Sequence, residues 1–234
     1  MTILRIPAWM RVCGVFAVLV ACVGCSSSGR FITGDTQKDF MAIKDYTPKW
    51  EDTGEQAVDT VGRSVVISQE DKKPELVELM SKLYSQKELN FLIRSTDAAL
   101  KDQGIEDPTP QQKREVMRLV YAKMTPEEQQ MIDQYAETEG PAIAAREDDL
   151  AEIGAIALRL TKVALDYINH YSNASGADVA MAIFTKVPAI RQGYDMGEEV
   201  IEWGNAASEF LADYGDALDT WDEVVNFNRE QALD

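Results

Sequence analysis

The chain has 234 residues, with 23 basic side chains against 40 acidic ones and a formal net charge of −17. Such a balance repels phosphates and anionic headgroups, which argues against nucleic-acid binding and against peripheral adhesion to anionic lipid. It favours basic or cationic partners, on a chain long enough for one sizeable domain or two small ones.

Met1 to Arg11 carries Arg5 and Arg11 and no acid, and an apolar run follows from Val12 to Ala21. A basic stretch followed by a short apolar one is the pattern of a secretion signal. The run is ten residues long, whereas a membrane-spanning helix needs roughly 20. Leu19-Val20-Ala21-Cys22 then resembles the lipobox of bacterial lipoprotein precursors: an apolar residue, small or apolar residues, then cysteine. Small side chains let the backbone enter a peptidase, and the thiol accepts a diacylglycerol. The resemblance implies that Cys22 becomes the acylated first residue of the mature chain, anchoring it to a membrane. Cys25 is the alternative, since it follows Gly24 and precedes Ser26-Ser27-Ser28-Gly29, although Cys22 three positions before it fits less well than Leu19 does. Each buried CH₂ contributes about 0.8 kcal/mol, so several acyl chains hold firmly. Val23, rather than aspartate, follows Cys22, which by the same resemblance favours the outer membrane of the cell envelope over the inner.

Loss of residues 1–21 removes Arg5 and Arg11, leaving 21 bases against 40 acids, a net charge of −19. Of Cys13, Cys22 and Cys25, at most the last two remain, both beside the anchor. The domain is then expected to fold without disulfides, thiolate metal sites or a cysteine nucleophile.

Residues 22–73 are expected to form the lipidated cysteine, a Ser/Gly-rich tether and an irregular linker, with 74–234 as an acidic helical domain. Within the first stretch, a short helix over 35–44 is expected to turn Phe40 and Ile43 inward. Gly54 and Gly62 mark irregular chain, and Ser64-Val65-Val66-Ile67 has strand character without a partner. After Pro74, Leu76, Leu79, Met80 and Leu83 recur at helical spacing. Ser85-Gln86-Lys87-Glu88 reads as a capping box opening a helix with Leu89, Leu92, Ile93 and Leu100, which ends near Gly104. Thr109-Pro110-Gln111-Gln112 and Thr125-Pro126-Glu127-Glu128 read as two more helix starts, with Thr as cap and Pro first. Their apolar faces carry Val116, Leu119, Val120 and Met124, then Met131, Ile132 and Tyr135. Gly140-Pro141 suggests a break before a long helix to Tyr171. Its centre holds Ile153, Ile156, Leu158, Leu160, Val163 and Leu165, apolar on more than one face and so expected to lie centrally. A turn over 172–176, a kink at Pro188 and a break over 193–197 precede helices running to about Arg229. The fold class is therefore all-α, an irregular bundle of about seven to nine helices.

Asp195 to Asp234 holds twelve acids and one base, Arg229. Glu198, Glu202, Glu209, Asp213, Asp216 and Asp219 fall mostly away from an apolar stripe, as a solvated face or a docking surface for a basic protein. His170 lies one turn after Asp166, the spacing of a base and its orienter, but no nucleophile motif accompanies them. Trp50, Trp203 and Trp221 are candidates for a ligand groove, or for core. No catalytic constellation, cofactor motif or metal motif is present. The expected role is an anchored helical interaction or assembly module, not an enzyme. The alternative is a lipoprotein that binds a small ligand or a divalent cation.

Overall fold

A computed structural model describes the backbone of residues 31–33, 36–173 and 177–231, and the side chains of 31–33, 37–173 and 185–219. The described residues are all-α and contain six helices: α1 (Thr36–Asp45), α2 (Gln56–Ser85), α3 (Lys87–Asp102), α4 (Pro110–Tyr121), α5 (Pro126–Asn173) and α6 (Ala177–Gln231). The expected seven to nine become six because breaks at glycine and proline do not occur. Pro74, Pro141 and Pro188 all lie inside helices. All three are exposed. A helical proline frees the carbonyl four residues earlier. For Pro74 and Pro141 that residue is Glu70 or Glu137, itself exposed, so water can satisfy the carbonyl.

The chain divides into two compact units, residues 1–74 with 147–208, and residues 75–146 with 209–234. In the first unit, the segment expected to be an irregular linker is helical from Gln56 onward. Val58, Val61, Val65 and Gln69 are buried at helical spacing, whereas Ile67 is 57% exposed. The period of burial is thus that of a helix, and packing overrides the β preference of Ser64–Ile67. The start is marked by Thr53, whose N–H and Oγ1 donate to Asp59 Oδ1 at 2.7 and 2.9 Å. Thr33 makes the same pair of bonds to Asp39, at 2.7 and 2.6 Å, around the start of α1. As expected, α1 buries Phe40 and Ile43.

Between α1 and α2, residues 46–55 form an extended strap. Tyr46, Pro48 and Thr53 are buried, while Thr47, Lys49, Glu51 and Asp52 are exposed. Trp50 is seated against two glycines. A Cβ on Gly62 would lie 2.3 Å from Trp50 Cε3, and one on Gly193 would lie 2.9 Å from its Cη2. Gly197 is packed as tightly: its Cβ would meet Thr161 Oγ1 at 2.4 Å and the Ala157 carbonyl at 3.1 Å. The expected break over 193–197 is therefore continuous helix. Those glycines serve close approach rather than chain reversal.

On α5, the buried residues of this unit are Leu150, Ile153, Ala157, Leu160 and Ala164, a single stripe. Leu158 and Leu165 are 41% and 44% exposed, so this stretch is one-sided rather than central. Trp203 is fully buried, donates its indole N–H to the Ile43 carbonyl at 3.0 Å and lies 6.4 Å from the Tyr46 ring.

In the second unit, the starts at Thr109 and Thr125 are capping boxes as expected. Thr109 Oγ1 accepts from the Gln112 N–H at 3.3 Å, and Gln112 Oε1 accepts from the Thr109 N–H at 2.9 Å. Thr125 and Glu128 repeat the pattern at 3.3 and 2.8 Å. Ser85 does not cap. Its hydroxyl donates back to the Lys82 carbonyl at 2.7 Å, which keeps α2 helical through Ser85. Asn90 tightens that corner by donating to the Tyr84 and Gln86 carbonyls at 2.8 and 2.7 Å. Leu89, Leu92, Ile93 and Leu100 are buried, and Gly104 closes α3 with φ +73°. Leu119, expected inside, is 59% exposed. The turn over 172–176 falls largely outside the described residues.

Alanine at a helical glycine gains about 1 kcal/mol of propensity. At Gly62, displacing Trp50 should outweigh that gain, for a net loss of about 1–3 kcal/mol. Gly193→Ala should cost less, and Gly154→Ala, whose Cβ would meet nothing within 4 Å, should stabilise. Urea unfolding ranks the three. A Gly62→Ala protein as stable as the parent would refute the seating of Trp50.

Candidate functional site

Cys22, expected to carry the lipid, and its alternative Cys25 lie outside the described residues, as does the Trp221 side chain. The acidic residues of α6 divide between the two units. Glu198 and Glu202 belong to the first, and Glu209, Asp213, Asp216 and Asp219 to the second. Glu209 and Asp219 are exposed, and the other four are half-buried.

In the first unit, Glu198 accepts a hydrogen bond from the Tyr194 hydroxyl, one turn earlier, at 2.5 Å. In the second unit, Asp213 is paired with Lys113 of α4. Burial works against the Lys113 ammonium, but Asp213, with Asp97 and Asp216 behind it, outweighs burial and holds its pKa above the ordinary value. Burial pushes the Asp216 carboxyl up, against the opposing pull of Arg114 and Lys113. Asp213 and Asp216 therefore face an internal basic pair, and the expected acidic surface is partly an intramolecular contact. The adjacent bases Lys113 and Arg114, in a chain with a large acidic excess, were the available signal.

His170 and Asp166 are both exposed. The His170 ring meets Tyr171 edge-on, with centroids 5.6 Å apart. Tyr171 belongs to a cluster that the sequence reading did not find. Glu55 Oε1 accepts from the Tyr171 hydroxyl at 2.7 Å and from Lys186 Nζ at 2.5 Å, and the ammonium lies 5.9 Å from the Tyr171 ring centroid. Lys186 first, then Tyr171, holds the Glu55 carboxyl below its ordinary value. The same bond to Glu55 pushes the Tyr171 phenol up. Tyr171 is thus a hydrogen-bond donor, not a base. The cluster ties the end of the strap to α5 and α6.

Of the two tryptophans with described side chains, Trp203 is core and Trp50 borders a surface depression. A shallow groove runs beside the strap, lined by Tyr46, Lys49, Trp50 and Glu51 and by Gln192 and Glu199 of α6. The Tyr46 hydroxyl reaches Glu199 across it at 3.4 Å, and Lys73 donates to the Tyr46 carbonyl. Burial lowers the Lys73 pKa, against the pull of Asp45. Among the described residues, no three of histidine, cysteine, aspartate and glutamate group so as to hold a metal ion. None of the described helices is long and apolar enough to cross a membrane. No protein-family model, curated protein or solved structure matches the chain.

Two predictions follow from these charges. Glu55 has a folded pKa below its ordinary 4.5. Its contribution is therefore present above 4.5 and is lost as pH falls through the lowered folded value. Glu55→Gln should cost about 1–2 kcal/mol at neutral pH. That difference from the parent should close in acid. Urea titrations across pH 3 to 7 test this, and a pH-independent gap would remove the assignment. At neutral pH, Asp213→Asn should destabilise by about 1 kcal/mol. Asp216→Asn should cost less, because burial already disfavours its ionised form. The reverse order in thermal unfolding would contradict the pairing with Lys113.

Proposed function

We propose that this protein is a membrane-anchored cell-envelope lipoprotein that acts as a helical interaction or assembly module rather than as an enzyme. The carrying observation is Leu19-Val20-Ala21-Cys22 after a basic, then apolar, N-terminal stretch. On this reading Cys22 bears the lipid, with Cys25 the alternative, and the outer membrane is favoured over the inner. The all-α architecture suits the role, since long helices offer extended surfaces for docking. Glu209 and Asp219 are exposed, and Glu198 and Glu202 are half-exposed, on a chain with a large acidic excess. The matching partner is a protein with a basic face. Its association would be salt-sensitive, because exposed charges are screened beyond about 8 Å at physiological ionic strength.

Mass spectrometry of the purified membrane form tests the anchor. The expected N-terminal peptide begins with an acylated Cys22, and an unmodified peptide beginning at Met1 would overturn the reading. For the partner, capture from gently solubilised membranes should yield a protein that high salt releases. Charge reversal at Glu202, Glu209 and Asp219 should abolish its capture. Retention of that protein by the reversed variant would reject the acidic face.

A further inference from the structure

We infer that the outer face of α1 rests on the headgroup layer of the membrane, beside the lipid anchor. The inference depends on the anchor proposed above. Its first support is covalent reach. Among the described residues, the first buried one is Phe31, which is 3% exposed and packs edge-on to Tyr46 at 5.1 Å. Nine residue steps separate Cys22 from Phe31, so fully extended chain spans at most about 30 Å. From Cys25 the limit is about 20 Å. The expected flexible span of residues 26–73 would have allowed far more. Phe31 and the helix that follows it are therefore held near the bilayer.

The second support is the character of what is held there. Phe40 and Ile43 fill the inner face of α1. The opposite face centres on Met41, with Gln37, Lys38, Lys44 and Asp45 all exposed around it. Met41 and Ile32, just before the helix, are 43% and 44% exposed. Met41 flanked by Lys38 and Lys44, with Ile32 just before the helix, matches the acyl–headgroup boundary, where methylene stems bury and ammonium groups meet phosphate.

The third support is how charge is partitioned. Residues 30–50 carry Arg30, Lys38, Lys44 and Lys49 against Asp35, Asp39 and Asp45, a net of +1. Residues 51–234 carry 17 bases and 37 acids, a net of −20. An anionic surface would repel the second set and not the first. The charge of this stretch itself therefore does not oppose headgroup contact as the charge of the whole chain would.

Photocrosslinking tests this in the full chain, expressed in cells and recovered in membranes. A benzophenone amino acid is placed at Met41, at Ile32 and, as control, at Leu119. After irradiation, mass spectrometry reads phospholipid adducts. The expected result is adducts at positions 41 and 32 and none at 119, with a severalfold loss at 41 when Lys38 and Lys44 become Glu. Flotation of the same membranes reports the anchor separately. A protein that floats yet gives no lipid adduct at 41 and 32, gives a protein adduct there, or gives equal lipid adducts at 119 overturns the inference and leaves the anchor standing. A protein that does not float overturns the anchor, and the inference with it.

Discussion

The indole of Trp50 occupies space that two side chains would otherwise fill, above Gly62 on α2 and against Gly193 on α6. Much of the first unit is organised around that seat. With the ring there, the strap can lie along the helices instead of looping away from them. Its neighbours then fall into place: Tyr46, Pro48 and Thr53 turn inward, and Thr53 meets Asp59 to start α2. Glu55, at the end of the strap, reaches Tyr171 and Lys186. Each of those contacts is modest alone. The strap between Tyr46 and Asp59 makes few backbone bonds, so side chains must hold it. The Trp50 ring in its notch and the buried Tyr46, Pro48 and Thr53 do so together.

Charge sets the second constraint. In a chain of this acidity, a single base can relieve more than one acid. Lys72 illustrates the arrangement, with Asp149 and Glu152 both at 2.7 Å from its ammonium. Lys113 does the same in the second unit, with Asp213 in contact and Asp97 and Asp216 near enough to raise its pKa. Shared bases mean that an acidic stripe on a helical wheel overstates the anionic surface. On α6, Asp213 and Asp216 are offset by the bases of α4 rather than left as bare surface charge.

Local chemistry was legible in the sequence wherever one residue type has one use. Thr-Pro-x-Gln and Thr-Pro-x-Glu can hardly do anything but start a helix, and both do. The apolar spacing of Leu89, Leu92, Ile93 and Leu100 likewise gave a buried face. Residues with two uses misled. Proline ends helices in isolation, yet on a solvated face its freed carbonyl can bond water, as at Pro74 and Pro141, which stay helical. Ser85 can cap the helix after it or donate to the turn behind it, and it does the second. Of the candidate site, the acidic face was legible. Its neutralisation by Lys113, and the meeting of Glu55 with Tyr171 and Lys186, were not, because those partners lie 100, 116 and 131 residues apart.

Glycine shows the ambiguity in its plainest form. It has two properties that no other residue combines: access to positive φ, and no Cβ. Gly54 and Gly104 use the first, at φ +78° and +73°, and both lie in non-helical chain. Gly62, Gly193 and Gly197 use the second, and all three lie inside helices. Composition cannot separate the two groups, but a neighbour of the right size can. A tryptophan with no place in the helical periodicity needs a cavity, and buried helical glycines supply one. Counting Trp50 with Gly62 and Gly193, rather than as punctuation in a linker, turns residues 46–73 from spacer into packed structure. That reassignment joins residues 46–73 to the packed structure that, among the described residues, is first seen at Phe31.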